Sequence, residues 1–422
     1  MNGRRVVITG LGVVAPGGAY TKAFWEAITA GRTATRVISA FDPSAFRSRI
    51  AAEVDFDPVQ AGLSHREVRR LDRAAQFALA ATRETIGDSG LDAGRLDPAR
   101  VGVSVGSAVG CTVKLESEYL VLSDTGREWV VDHGYASPHL YDYYMPGSLA
   151  AEVAWEVNAQ GPVTMISAGC TSGLDSLGHA ADLIREGIAD VMVAGGTDAP
   201  ISPITVACFD AIKATSNRND DAAHALRPFD RTRNGFVLGE GAAMLVLEEL
   251  EYARARDAKI YAEITGFASR SNAYHMTGLK PDGTELADAV IAALDESRLP
   301  ADAIDYVNAH GTATKQNDRH ETAALKRSLG DHAHQIPVSS IKSMIGHSLG
   351  AVGSIEIAAC ALAIDEGIVP PTANLNEPDP ELDLDYVPLE AREQQLNAVL
   401  SVGSGFGGFQ SAMVLTRPGR QA

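Results

Sequence analysis

Val163-Thr164-Met165-Ile166-Ser167-Ala168-Gly169-Cys170-Thr171-Ser172-Gly173 and Val338-Ser339-Ser340-Ile341-Lys342-Ser343-Met344-Ile345-Gly346-His347 share one plan. Each opens on a short run that suits a pleated strand, passes a glycine, and presents one chemically active side chain. Each then enters a helix rich in small residues, over 174–188 in the first case and 349–362 in the second. Two strand–turn–helix units of this kind in one chain point to an internal repeat, with Cys170 and His347 at related positions.

The surrounding sequence supports that reading. Short β-branched runs fall at 6–10, 101–106, 163–167, 191–196 and 243–247, with helical patterns between them such as 73–86. From about Lys259 a similar order restarts, with runs at 260–266, 305–308, 337–340, 399–403 and 411–415. Strands alternating with helices predict an α/β protein whose sheets are covered by helices. The expected division is into two similar halves, 1–255 carrying Cys170 and 256–422 carrying His310 and His347.

The chain has 422 residues, with 54 acidic side chains against 36 basic ones, a formal charge of −18. A surface that negative repels phosphate backbones and anionic lipid, which argues against nucleic-acid and membrane-surface roles. Cys111, Cys170, Cys208 and Cys360 lie tens of residues apart, neither clustered for a metal nor dense enough for a disulfide framework, so a reducing, cytoplasmic setting is expected. Gly10 and Gly12 interrupt the apolar start, which reads as a first strand rather than a secretory signal. No run of about 18 apolar residues predicts a membrane span. The segment 112–144 is the least regular, ends in Tyr141, Tyr143 and Tyr144, and is expected to form an interface or a tunnel wall.

Two familiar signals fail on context. Gly10-Leu11-Gly12-Val13-Val14-Ala15 matches a loose dinucleotide fingerprint, but the second strand with its acidic end is replaced by a helical pattern over 24–30. Gly346-His347-Ser348-Leu349-Gly350 matches a hydrolase nucleophile elbow, yet no histidine follows Ser348 to serve as its base. Three stretches remain: Gly169-Cys170-Thr171-Ser172-Gly173, Asn308-Ala309-His310-Gly311-Thr312-Ala313-Thr314, and Lys342 through His347. A cysteine at a helix start meets unsatisfied N–H groups that favour thiolate, so Cys170 is expected to be an activated nucleophile.

These stretches resemble the decarboxylating β-ketoacyl synthases of the thiolase superfamily. The likeness extends over nearly the whole chain, through Arg227-Pro228-Phe229-Asp230, Gly239-Glu240-Gly241 and Gly403-Ser404-Gly405-Phe406-Gly407-Gly408. It implies a thiolase-like fold, two similar halves in a layered αβαβα arrangement. In detail, Gln316 to Thr322, Ser340 to Gly350 and the ending Gly408-Phe409-Gln410 are similar to the ketosynthase α subunit of type II aromatic polyketide synthases, where fatty-acid relatives end in GFGGTN. Retention of Cys170 argues for the catalytic subunit, because the partner, the chain length factor, typically lacks that thiol.

The resemblance implies an acyl chain on Cys170, and His310 and His347 as donors to the enolate formed when a malonyl thioester loses carbon dioxide. Backbone N–H groups of Cys170 and Phe406 would receive the second oxyanion, with Gly405 allowing the approach and Phe406 acting as a gate. Lys342 is expected near His310 with Glu321 as its partner, and Asp318 in the same polar support. Thr312 and Thr314 are expected to bind the phosphopantetheine arm of acyl carrier protein, the substrate carrier, with no metal or redox cofactor. For docking that acidic carrier, Arg66, Arg69, Arg70 and Arg73 follow the spacing of one helix face. The alternatives are a homodimeric fatty-acid elongating synthase, a catalytically silent scaffold, and a degradative thiolase, which would ordinarily show a second cysteine near the C-terminus.

Overall fold

The structure is a computed structural model that describes residues 3–92, 96–127 and 132–419. The first half supplies strands β1 (Val6–Val14), β2 (Val101–Gly106), β3 (Val163–Ile166), β4 (Val191–Asp198) and β5 (Gly241–Glu249). The second supplies β6 (Ala262–Ser271), β7 (Tyr306–Asn308), β8 (Val338–Ser339), β9 (Ala398–Gly405) and β10 (Phe409–Thr416). All ten join one sheet in the order β8-β7-β9-β10-β6-β1-β5-β4-β2-β3.

Read outward from the central β6–β1 seam, each half repeats one topology: its first, fifth, fourth, second and third strands. The orientations repeat as well. β1 pairs antiparallel with β5 and β5 with β4, while β2 runs parallel to β4 and β3. β6 pairs antiparallel with β10 and β10 with β9, while β7 runs parallel to β9 and β8. At the seam only Val6, Val7 and Ile8 pair across to Ile264, Glu263 and Ala262.

Helix α1 (Arg73–Ser89) covers β1 and β5, α2 (Thr112–Leu122) lies in the insertion after β2, and α3 (Ser172–Arg185) follows Cys170. In the second half α4 (Thr284–Ser297) covers β6 and β10, α5 (Lys315–Leu329) packs on α4, and α6 (Val352–Glu366) follows His347. α3 and α6 pack on each other and each touches strands of both halves, so they form the middle layer of an αβαβα stack. A helix with sheet on both sides has no polar face to present, and residues 352–364 of α6 are all buried.

The insertion is more regular than its sequence suggests. Over 112–144 it forms α2, a turn at His133–Tyr135 and a short helix Leu140–Tyr144; residues 128–131 lie outside the described residues. Tyr119, Leu120, Tyr141 and Tyr144 are exposed and line an apolar concavity with Leu115 and Ile204. Among the described residues no helix is long and apolar enough to cross a membrane.

Candidate active site

β3 ends in a tight turn, Gly169–Thr171, from which α3 departs. Ser172 holds the turn: its hydroxyl accepts from the Ala168 N–H at 2.9 Å and donates to the Gly169 carbonyl at 2.6 Å. Gly169 sits at φ +57, and a Cβ there would stand 2.9 Å from the Phe406 carbonyl oxygen. From the other side, a Cβ on Gly405 would lie 3.1 Å from the Cys170 nitrogen. The glycine hairpin between β9 and β10 therefore lies directly against the elbow, as the glycines foretell, and the N–H groups of Phe406 and Cys170 face the sulfur.

His347 leaves the equivalent strand exit of the second half. Its N–H donates to Val237 O at 2.8 Å, its carbonyl accepts from the Gly239 N–H at 2.9 Å, and its ring stands edge-on to Phe236 with centroids 5.3 Å apart. So fixed, His347 Nε2 lies 3.2 Å from Cys170 Sγ. The His310 ring is nearly perpendicular to that of His347, at 5.4 Å between centroids. Cys170, His310, His347, Thr312, Thr314, Gly405 and Phe406 all line one cavity of about 470 Å³.

The electrostatics correct one expectation. Burial pushes the Cys170 thiol up to about 11, only partly opposed by the Lys342 ammonium and the N–H groups of Phe406 and Cys170. The helix start does not leave a free thiolate here, because desolvation of the charged sulfur outweighs it. Burial and Lys342 hold both imidazoles well below the usual histidine range, His310 further lowered by His347 and His320. Both rings are therefore neutral at pH 7, able to accept a proton at one nitrogen and donate from the other.

Lys342 is fully buried, but its partner is Glu356 on α6, not Glu321. Glu321 instead accepts from the backbone N–H groups of His310 at 2.5 Å and Gly311 at 2.8 Å, fixing the loop that carries the histidine. The correction is geometric: α6 passes beneath the 342–347 turn, whereas Glu321 on α5 is taken up by peptide N–H groups. Asp318 accepts from the Phe229 N–H at 2.9 Å and faces the buried Arg233 at 3.2 Å. Thr312 and Thr314 share one side, as their spacing suggests, with hydroxyls 3.0 Å apart, and Thr314 also caps α5.

The four arginines do not form one helix face. The helix His65–Arg70 stops at Leu71, and Asp72 caps a new one. Arg70 pairs with Glu152, and Arg73 pairs with Glu240 and stands over the Phe77 ring at 4.6 Å, leaving Arg66 and Arg69 exposed. Sequence reasoning missed Glu356, Asp198 and Phe209, whose ring lines the cavity with its centroid 6.4 Å from that of Phe406. For Glu356 the signal was an acid within the otherwise apolar run 355–364, which calls for a buried counter-charge.

Fold and site together define a thiolase-like acyl-condensing enzyme. The sequence matches the β-ketoacyl synthase N-terminal domain over residues 3–253 and the C-terminal domain over 261–376. It is 69% identical to the granaticin polyketide putative β-ketoacyl synthase 1 of Streptomyces violaceoruber, over 98% of this chain and 99% of that protein. It is 65% identical to the tetracenomycin polyketide synthase ketoacyl synthase α subunit of Streptomyces glaucescens, over 98% of this chain and 97% of the relative. Identity to the 3-oxoacyl-[acyl-carrier-protein] synthase 2 of Coxiella burnetii is 42%, over 99% of both chains. Among solved structures, a type II polyketide synthase acyl-carrier protein in complex with its ketosynthase bound to the hexaketide aligns with TM-score 0.92 and 37% identity, over 98% of this chain and 99% of that one. The ishigamide ketosynthase/chain length factor aligns with TM-score 0.89 and 34% identity, over 99% and 100%. The chain belongs to the β-ketoacyl synthase family. Within it, the sequence stands with the type II polyketide ketosynthases rather than the fatty-acid elongating enzymes.

Proposed function

We propose that this chain is the catalytic ketosynthase of a type II polyketide synthase, extending a Cys170-bound acyl chain with malonyl units carried on acyl carrier protein. The observation that carries the reading is the 3.2 Å approach of His347 Nε2 to Cys170 Sγ in the cavity that His310 also lines.

In the first half-reaction His347 takes the thiol proton as Sγ attacks the incoming acyl thioester, and the carrier thiol leaves with a proton. The tetrahedral oxyanion is received by the N–H groups of Cys170 and Phe406, a donor pair worth ~3 kcal/mol per group removed in comparable sites. In the second, the malonyl thioester loses carbon dioxide and the enolate oxygen is met by N–H donors of His310 and His347. The enolate carbon then attacks the acyl carbonyl, and collapse expels Sγ, leaving the chain two carbons longer on the carrier. Burial, reinforced by the Lys342 ammonium, keeps the imidazoles neutral, and Glu321 sets the His310 loop. Thr312 and Thr314 bind the amides of the phosphopantetheine arm, and Phe406 gates the thiol.

The exposed apolar concavity around Tyr119, Tyr141 and Tyr144 is the seat of a chain length factor, the two chains forming a heterodimer. The carrier meets the exposed Arg66 and Arg69. The first half, 1–255, contributes Cys170 to the reaction and the second, 256–422, contributes His310 and His347, and the enzyme works in the cytoplasm. The test is co-expression with a homologue lacking the cysteine. A stable heterodimer that condenses malonyl-loaded carrier, with activity lost on Cys170→Ala, is expected. A homodimer that elongates saturated acyl chains unaided would favour the fatty-acid role. Charge reversal at Arg66 and Arg69 should raise the KM for carrier with kcat unchanged, and an unchanged KM at low salt would remove them from the docking surface.

A further inference from the structure

Asp198 closes β4 and is fully buried, yet what holds its carboxylate is a set of hydrogen-bond donors rather than a cation. Its two oxygens accept from the Ser107 hydroxyl at 2.5 Å and from the N–H groups of Ala108 at 2.9 Å, Val109 at 3.2 Å and Gly350 at 2.6 Å. Three of these donors belong to the loop after β2, and the fourth to the turn three residues beyond His347. One side chain thus ties together segments from the two halves of the molecule.

Both segments reach the nucleophile. Ala108 and Val109 pack in the same apolar cluster as Cys170 and Leu349. Leu349 lines the catalytic cavity at φ +47, a left-handed conformation that a branched side chain keeps only when its surroundings impose it. Gly350 has no room for a side chain: a Cβ would stand 2.4 Å from the Ala108 nitrogen and 2.6 Å from Asp198 Oδ2.

We propose that Asp198 is a positioning residue for acyl transfer. It fixes the 107–109 loop and the 348–350 turn as walls that aim the thioester at Cys170, and its ionised carboxylate places a negative charge near the sulfur. The inference rests on Cys170 being the nucleophile. The charged and titratable groups bearing on that sulfur are His347, His310, Lys342 and Asp198. Asp198 opposes Lys342, so the thiol keeps its proton until His347 receives it during attack. Burial raises the Asp198 carboxyl to about 6, and it is ionised throughout the alkaline range in which the thiol titrates.

The decisive variant is Asp198→Asn in the full chain with its partner subunit. The pH midpoint for alkylation of Cys170 by iodoacetamide should move down by roughly half a unit as the opposing charge disappears. Acyl transfer should fall roughly tenfold through misplacement of the thioester, with the KM for carrier unchanged. A clamp with only a structural role would lower the melting temperature and leave the alkylation midpoint in place, so an unmoved midpoint in folded Asp198→Asn overturns the proposal. If that variant does not fold, Ser107→Ala removes one donor and keeps the charge. Transfer should then slow several-fold without a downward midpoint shift, and a wild-type transfer rate would overturn the proposal. Alkylation needs no polyketide substrate, so its outcome is independent of the pathway assignment.

Discussion

A thiol that ionises only near pH 11 rests as a thiol, and the neutral imidazole 3.2 Å away is the group placed to deprotonate it. The rate of Cys170 alkylation should therefore climb steadily above pH 8 without an early plateau; a plateau below pH 7 would mean a resting thiolate. Lys342 and Glu356 set the second residue-scale test. Glu356→Ala leaves a fully buried ammonium without its partner, which should cost about 3–5 kcal/mol of unfolding free energy in a denaturant titration. A loss within 1 kcal/mol, the range of exposed pairs, would show that water reaches the lysine. Cys170, His310 and His347 were legible because each is a reactive side chain beside glycine at a strand exit. The partner of Lys342 was not, since the choice between Glu321 and Glu356 depends on which helix passes under the turn.

The ten strands of the large sheet all fall on the expected runs; nine carry residues buried within the chain, and β3, exposed or half-buried throughout, is marked by its β-branched run before Gly169. The helix within the insertion was not legible for the opposite reason. Tyr119, Leu120 and Val121 on α2 are all exposed, so the helix has no pattern directed at this chain's own core. The arginine series failed because Leu71 and Asp72 break the helix that its spacing assumed. Close packing makes another element-scale prediction. A Cβ on Gly12 of β1 would stand 2.0 Å from the Ala81 carbonyl of α1, so Gly12→Ala should push the helix off the sheet and cost about 1–3 kcal/mol. Unchanged stability would mean that α1 does not rest on β1 as described.

Four carboxyls lie fully buried around the site, Asp318 and Glu356 beside a cation and Asp198 and Glu321 held by hydrogen-bond donors. Burial raises Asp198 and Asp318 to about 6 and Glu321 and Glu356 to about 7, all above their unfolded values. Each then binds its proton more tightly folded than unfolded, so its contribution to stability is present at low pH and lost as pH rises through 6 to 7. The overall charge of −18 acts in the same direction. The melting temperature should accordingly rise as pH falls from 8 to 6, and a fall over that range would contradict the assigned burial. The repeat of strand order, hinted at by two matching strand exits, is what brings a thiol from one half and two imidazoles from the other into a single cavity. Peptide mass spectrometry after brief incubation of the reconstituted enzyme with acyl-loaded carrier protein tests that convergence most directly. The acyl group should be found on Cys170 and disappear when malonyl-loaded carrier is added, with release of an extended chain. An adduct on Cys111, Cys208 or Cys360 instead, or one on Cys170 that persists when malonyl carrier is supplied to enzyme with both histidines intact, would contradict the account.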